Sequence, residues 1–265
     1  MSPPRTLAEL QPLTRFTDRV ADYVRYRPDY PEALFALLRE RAQLGPSAVV
    51  ADVGSGTGIF SAQLLERGAT VFGVEPNQAM RAAAESRLGG QPRFISIEGN
   101  STATGLVDGT ITLITCAQAF HWFEPAETRR EFWRISRSDA PWALVWNSAP
   151  EQLDAFNQDY ERINRAYGTD FREISHQGGQ AREKIERFFG PGQFQRLTFP
   201  HGQPLDREAL RGRMLSSSYA PKAGDSRHEP MLQDLDRTFD THQQNGLVRL
   251  EYETELYLGR PLGPG

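Results

Sequence analysis

A chain of 265 residues has room for one large α/β domain or two small ones, and 38% hydrophobic with 10% aromatic residues supply a core. A net charge of −4 and a pI near 5.8 count against a nucleic-acid surface, which needs a basic stripe. The single cysteine excludes an internal disulfide framework, and no stretch approaches the roughly 20 apolar residues of a membrane span.

Residues 1–20 are polar and proline-bearing, and read as a mobile arm or a short helix. They lack the apolar run of a signal peptide, so a cytoplasmic location is expected. Pro28 and Pro31 forbid a helix running through them, and Pro31 suits the first turn of the next one. Leucines at 34, 37 and 38 give residues 32–42 a helical spacing, which Gly45-Pro46 ends.

The central stretch is Val49-Val50-Ala51-Asp52-Val53-Gly54-Ser55-Gly56-Thr57-Gly58. It reads as a buried strand running into a glycine-rich turn, followed at once by a helix over 59–67. Glycines at every second position let a ligand approach the backbone, and the helix start offers unpaired N–H groups. A second strand over 70–75 ends in Glu75, 17 residues past Gly58. A carboxylate there can accept both ribose hydroxyls of an adenosine. A dinucleotide site uses the same device, but it wants G-x-G-x-x-G, and Ile59 stands where its third glycine belongs.

Pro76-Asn77 caps a helix over 78–88, and strands follow at 94–98, 110–116 and 142–147, with a helix over 124–136 between the last two. Arg129, Arg130, Arg134 and Arg137 read as a solvated face paired with Glu127 and Glu131. Helices are expected over 151–168, 180–189 and 229–245, and strands over 194–199 and 247–258, with the segment 206–214 and the Ser216–Tyr219 run between. Residues 148–258 are read as completing the sheet with helices inserted as a lid, so residues 1–265 form one domain with its core at about 16–150.

Asp52-Val53-Gly54-Ser55-Gly56-Thr57-Gly58 resembles the first motif of the class I S-adenosylmethionine (SAM) methyltransferases, hydrophobic-x-D-x-G-x-G-x-G. Tyr23-Val24-Arg25-Tyr26-Arg27-Pro28-Asp29-Tyr30-Pro31 and Ala117-Gln118-Ala119-Phe120-His121-Trp122-Phe123 narrow the likeness to the type 11 subgroup, similar to trans-aconitate methyltransferase. The resemblance implies a Rossmann-like α/β fold with a seven-stranded mixed sheet of order 3-2-1-4-5-7-6. It implies SAM as cofactor, S-adenosylhomocysteine as product, and a small-molecule acceptor. It places Asp52, Gly54, Ser55, Gly56, Gly58, Glu75, Pro76, Met80, Asn100, Ser101 and Gln118 at the cofactor, with Tyr23 and Arg27 near its carboxylate. Met80 reads equally as core. Three positions depart from the subgroup: Ser101-Thr102 replaces an Ala-Glu pair, and Thr112 replaces an aspartate.

His121, Trp122 and Tyr219 are the expected acceptor wall, with His121 either a catalytic base or a structural histidine. Phe120, Trp122 and Phe123 are either core or an aromatic wall against a sulfonium. Cys116 reads as the end of a buried strand, and the histidines at 176, 201, 228 and 242 lack ligand spacing, so no metal is expected. A carboxylate acceptor would want an inward arginine, for which Arg27, Arg211 and Arg213 are candidates. O-methylation of a small organic acid or hydroxylated metabolite by a monomer or homodimer is the expected activity. The alternatives are SAM binding without methyl transfer and an NAD(P)-dependent oxidoreductase.

Overall fold

The computed structural model describes residues 20–169 and 179–261. The proposed arm before residue 20 and His176 lie outside them. The strands are β1 (Val49–Val53), β2 (Thr70–Val74), β3 (Phe94–Ile97), β4 (Leu113–Ala117), β5 (Trp142–Ser148), β6 (Phe194–Leu205) and β7 (Val248–Gly259). They form one seven-stranded mixed sheet in the order β3-β2-β1-β4-β5-β7-β6, as the resemblance implied. Strands β1 to β5 pair in parallel, with Val50 opposite both Val71 and Leu113.

The chain divides into two compact units. The larger holds residues 29–147, 176–199 and 254–265; the smaller holds 1–28, 148–175 and 200–253. Strands β6 and β7 run from one into the other.

In the larger unit the strands bury both faces, as a parallel sheet must. Val50, Val71, Leu113, Ala143 and Val145 join one core with Leu34, Phe35 and Leu38 of α2 (Glu32–Ala42) and Phe60 and Leu64 of α3 (Ile59–Glu66). Ala51, Val53, Ile114, Cys116 and Leu144 face the other, with Phe132 of α5 (Pro125–Ile135) and Phe188 of α7 (Gly179–Phe189). Adjacent residues of each strand thus go to different cores, the period of two that β geometry imposes. Helix α4 (Gln78–Leu88) begins on Asn77, whose side chain accepts from the Met80 N–H at 3.0 Å.

Strand β6 runs six residues past the expected Phe199, through Pro200 and Pro204. It is the terminal strand of the sheet, and an edge can leave a proline's missing donor on the unpaired side. The arginine-rich α5 also departs from the solvated face expected of it. Glu131 is buried and ion-paired to Arg134 at 2.7 Å, and Arg129 donates to the Phe188 carbonyl at 2.9 Å.

The smaller unit packs α1 (Val20–Tyr26), α6 (Ala155–Tyr167), α8 (Arg207–Leu215) and α9 (His228–His242) around Phe156, Tyr160, Leu210, Met214, Leu235 and Tyr252. Helix α1 lies against α8 at Gly212, where an added Cβ would sit 2.1 Å from the Tyr26 ring. Overpacking this contact costs about 1–3 kcal/mol. Gly212→Val is therefore expected to lower the unfolding midpoint and to speed proteolysis near residue 26, whereas Gly224→Ala, which meets nothing within 4 Å, strains only its own backbone at φ +92°. Equal proteolysis of the two variants near Tyr26 would show that Gly212 does not set this contact.

Candidate active site

The turn after β1 is built from three glycines with positive φ: Gly54 at 74°, Gly56 at 56° and Gly58 at 78°. Only glycine adopts such angles without strain. Their surroundings differ. A Cβ on Gly54 would meet Ala119 at 2.5 Å and the Phe123 ring at 3.2 Å, so that glycine lets the 117–123 loop press against the turn. A Cβ on Gly56 would meet nothing within 4 Å, so the space above it is open.

Two buried carboxylates hold the turn. Glu75, 8% exposed, accepts from the Gly56 N–H at 2.9 Å and from the Asn77 N–H at 2.8 Å. It thereby ties the glycine turn to the start of α4. Burial raises its pKa, opposed by the two N–H groups and by Arg81, which donates to the Glu75 carbonyl at 3.0 Å. Each carboxylate oxygen keeps a second lone pair for a ligand hydroxyl.

Asp52, which the resemblance places at the cofactor, lies under the turn. It is 0% exposed, and its two oxygens accept from Ser61 Oγ at 2.6 Å and Thr115 Oγ1 at 2.9 Å. Facing the crevice is therefore not its role. Its side chain shares the β1 face with Val50, beneath α3, and it braces the turn from below.

Two hydroxyls of the turn, Ser55 Oγ and Thr57 Oγ1, are buried with no hydrogen-bond partner. Buried polar atoms are seldom left so, because each forfeits its water. Orphaned hydroxyls beside an open Gly56 and a strand-end carboxylate fit the adenosine-bearing cofactor that the motif implies. Pro76 and Met80 flank this end of β2, Met80 being buried and Pro76 partly exposed.

The loop after β3 is held from α5. Thr104 donates to Glu131 through its N–H at 2.7 Å and its hydroxyl at 2.5 Å, and Thr128 Oγ1 donates to Ser101 Oγ at 3.0 Å. Arg134 and the two Thr104 donors hold the Glu131 pKa down at about 2. Asn100 is exposed, and its side chain closes the turn by accepting from Thr102 and Ala103 N–H groups, each at 2.9 Å. Thr112 lies at the start of β4, away from the strand's carboxyl end, bonded to the Val49 N–H at 2.9 Å. That departure from the subgroup therefore does not touch the site.

Gln118, just past β4, has φ 58° without being glycine. Such strain clusters where a backbone is held for a purpose. Its N–H donates to the Val145 carbonyl at 2.8 Å. Phe120 and Phe123 belong to the core, leaving Trp122 as the partly exposed ring of the three. His121 is also partly exposed, with its ring 4.6 Å from Trp122. Lys184 of α7, unnoticed in the sequence, donates to the His121 carbonyl at 3.1 Å and lies 5.3 Å from the Phe120 ring. Burial lowers its pKa. Nothing in its amphipathic helix marked it, because the partner is a backbone atom 63 positions away. Cys116 is fully buried, and burial pushes its thiol far up, which leaves no thiolate for nucleophilic chemistry.

Tyr23, Arg27 and Tyr219 belong to the smaller unit. The Arg27 guanidinium stacks on Tyr23 at 4.8 Å and donates to the Ser216 carbonyl at 3.1 Å. Tyr219 is partly buried after α8. Arg211 is not an inward arginine, because it is exposed and paired to Asp236. His228 bonds the Pro221 carbonyl at 2.9 Å and His242 bonds Asp159 at 2.8 Å, both structural roles. Among the described residues no cluster of three or more His, Cys, Asp or Glu could hold a metal, and no helix is long and apolar enough to cross a membrane.

Asp52 yields a pH prediction. Burial pushes its carboxyl up from 3.8 to about 6, despite the Ser61 and Thr115 hydroxyls. A folded-state pKa above the unfolded one means that its stabilising contribution is full below about pH 4 and is lost as pH rises through about 6. Asp52→Asn is expected to remove that loss. The unfolding free energy of variant minus parent should then rise by up to about 3 kcal/mol from pH ~4 to ~7. Urea titrations across this range check it, and a pH-independent difference would refute the assignment.

Residues 51–141 match a family model described as a methyltransferase domain, a span that contains the turn, Glu75 and the His121 loop. The chain is 24% identical over 255 residues to an uncharacterized methyltransferase-like protein of Schizosaccharomyces pombe, covering 95% of this chain and 97% of the relative. It is 34% identical over 151 residues to an uncharacterized methyltransferase of Mycobacterium tuberculosis, covering 57% of this chain and 59% of that one. A solved structure described as a type II methyltransferase, from Anaeromyxobacter dehalogenans, shares the fold with a TM-score of 0.64 at 21% identity, covering 89% of this chain and 100% of that one. Matched domain, fold and relatives agree with the geometry of the glycine turn: residues 51–141 carry a methyltransferase domain, and the chain is a methyltransferase.

Proposed function

We propose that this methyltransferase acts on a small molecule and methylates an oxygen of an organic acid or hydroxylated metabolite, with residues 1–265 working as one domain. The observation that carries the cofactor half of this reading is the Glu75 carboxylate, bound to the Gly56 and Asn77 N–H groups beside two orphaned hydroxyls and an open Gly56. Glu75 would take the ribose hydroxyls of SAM, and the Gly54–Gly58 turn would take its backbone-facing side. Met80 would meet the adenine, with Asn100 and Ser101 presenting backbone groups to its edge.

SAM, when bound, supplies a methyl group already activated as a sulfonium. The residues of this chain then need only position the acceptor, exclude water and manage one proton. Trp122 and the strained Gln118 end of β4 are suited to the first two tasks. His121 is suited to the third, since an imidazole can accept a hydroxyl proton near neutral pH. Partial exposure of His121 and Trp122, against the burial of Phe120 and Phe123, supports giving them the acceptor side.

Isothermal titration tests the reading. The parent is expected to bind SAM saturably and NAD not at all. Glu75→Gln should weaken SAM binding about tenfold to a hundredfold, the worth of a charge-assisted hydrogen bond. Saturable NAD binding without SAM binding would overturn the cofactor. Tight SAM binding with no S-adenosylhomocysteine formed across a broad panel of hydroxyl and carboxyl acceptors would favour a binding protein instead.

A further inference from the structure

Of the 30 basic residues in the chain, only Lys184 and Lys222 are lysines. A guanidinium keeps its proton at any pH a protein meets, whereas an ammonium gives it up when burial makes the charge costly. Lys184 stands where that difference has a consequence. On α7 it is partly buried, and its Nζ donates to the His121 carbonyl at 3.1 Å and lies 5.3 Å from the centre of the Phe120 ring. Among the described residues no carboxylate comes within salt-bridge distance of it, so a backbone oxygen and a ring face receive its charge. A lysine that merely covers apolar surface carries its head out to water; this one turns its head in to the backbone.

The bond lands between two side chains of the candidate site, and every group involved belongs to the larger unit. Residues 117–123 lead from β4 toward α5 and contain a short 3-10 turn, Phe120–Trp122. At one end the Gln118 N–H reaches the Val145 carbonyl, and Ala119 and Phe123 rest against Gly54. Lys184 adds a hold from a separate helix at the middle of the turn. The His121 carbonyl lies in the rigid peptide plane that joins His121 to Trp122, so fixing it fixes the direction in which both side chains leave the backbone. A hydrogen bond from an ammonium is roughly twice as strong as one from a neutral amine. Burial lowers the Lys184 pKa from its ordinary 10.5, opposed by Glu124 ahead of α5 and by Cys116 at the end of β4. On its own helix, Glu183 is paired with Arg187.

We propose that Lys184 is a positioning residue of the methyltransferase site: its ammonium clamps the His121 carbonyl and aims His121 and Trp122, and loss of its proton loosens that loop. The clamp itself stands on the geometry of the larger unit. Its bearing on the acceptor rests on the reading of His121 and Trp122 given above.

The sign of the pH effect separates a clamp from simple packing. A lysine whose folded pKa lies below its unfolded one costs the fold stability while protonated, and that cost vanishes as pH rises toward 10.5. Global stability relative to a variant without the amine should therefore rise with pH, while the loop loosens over the same range. A side chain that only fills space moves neither.

The test compares the parent with Lys184→Arg and Lys184→Met. Hydrogen exchange of residues 117–123 is measured from about pH 7 to about pH 10, each rate divided by that of the unfolded peptide at the same pH, with β2 as the internal reference. In the parent, protection of the loop is expected to fall about tenfold or more across the range. Lys184→Met should show the low value throughout, and Lys184→Arg should keep the high value throughout, because a guanidinium does not titrate there. Urea titrations should show the unfolding free energy of parent minus Lys184→Met rising over the same range. Equal protection of the loop in parent and Lys184→Met at neutral pH would overturn the clamp. So would a fall in Lys184→Arg that matches the parent's, since another group would then be titrating. Should Lys184→Met not fold, the comparison of parent with Lys184→Arg decides alone. Turnover is read as S-adenosylhomocysteine formed from SAM with any hydroxyl or carboxyl acceptor the parent methylates. Lys184→Met is expected to lose about tenfold or more in kcat/KM, and Lys184→Arg to restore it and to remove the alkaline decline. Parent-like turnover by Lys184→Met would overturn the link to methyl transfer. Failure of the methyltransferase reading is distinct: the parent would then not bind S-adenosylhomocysteine, whatever the exchange of the loop.

Discussion

The Glu75 carboxylate is the tie on which the glycine-turn end of the larger unit depends. One oxygen holds the middle of the glycine turn through Gly56, and the other holds the start of α4 through Asn77. Glycine is the residue least willing to be ordered, and three of them in five positions would leave a floppy turn if nothing held their N–H groups. A buried charge is costly on its own, and here the backbone donors compensate it. Asp52 does the matching work one strand over, engaging Ser61 of α3 and Thr115 of β4. Two acids at adjacent strand ends therefore fix the turn from the side and from beneath, while the space over Gly56 stays clear.

Around that tie the loops are set by contacts far apart in sequence. Glu131 of α5 holds Thr104 and, with Arg134, closes the loop after β3. Ala119 and Phe123 press on Gly54, so the segment carrying His121 and Trp122 is located by the glycine turn itself. Lys184 adds a hold on the His121 carbonyl. A methyl transfer that relies on placement more than on acid–base power suits a site whose parts are fastened in this way. The smaller unit follows a different economy of charge, since it leaves Arg213 buried and Arg27 half-buried among neutral oxygens while Arg207 and Arg211 are paired to aspartates.

Much of this was legible in the chain. Apolar runs and glycine punctuation placed the first five strands to within a few residues, because each strand buries its own side chains and announces its ends locally. The glycine turn, Glu75 and the capping Asn77 were equally readable, since their roles depend on spacing along one βαβ unit. The limits appear at β6, expected over 194–199 but running on through Pro200 and Pro204, which are tolerated because it lies at the edge of the sheet. They appear again at Glu131 and Arg134, which read as a solvated pair and close a buried loop instead.

The first five strands, the glycine turn and the acid that faces it were readable from the chain, because they follow from local periodicity and from residues fewer than 20 positions apart. Only the tertiary structure decided which charges are buried. Asp52 went beneath the turn, Arg211 to the surface and Arg213 to the interior, although Arg211 and Arg213 stand two residues apart on one helix. Burial depends on what packs against each face, and a partner such as Tyr252, 39 positions from Arg213, leaves no trace in the local pattern.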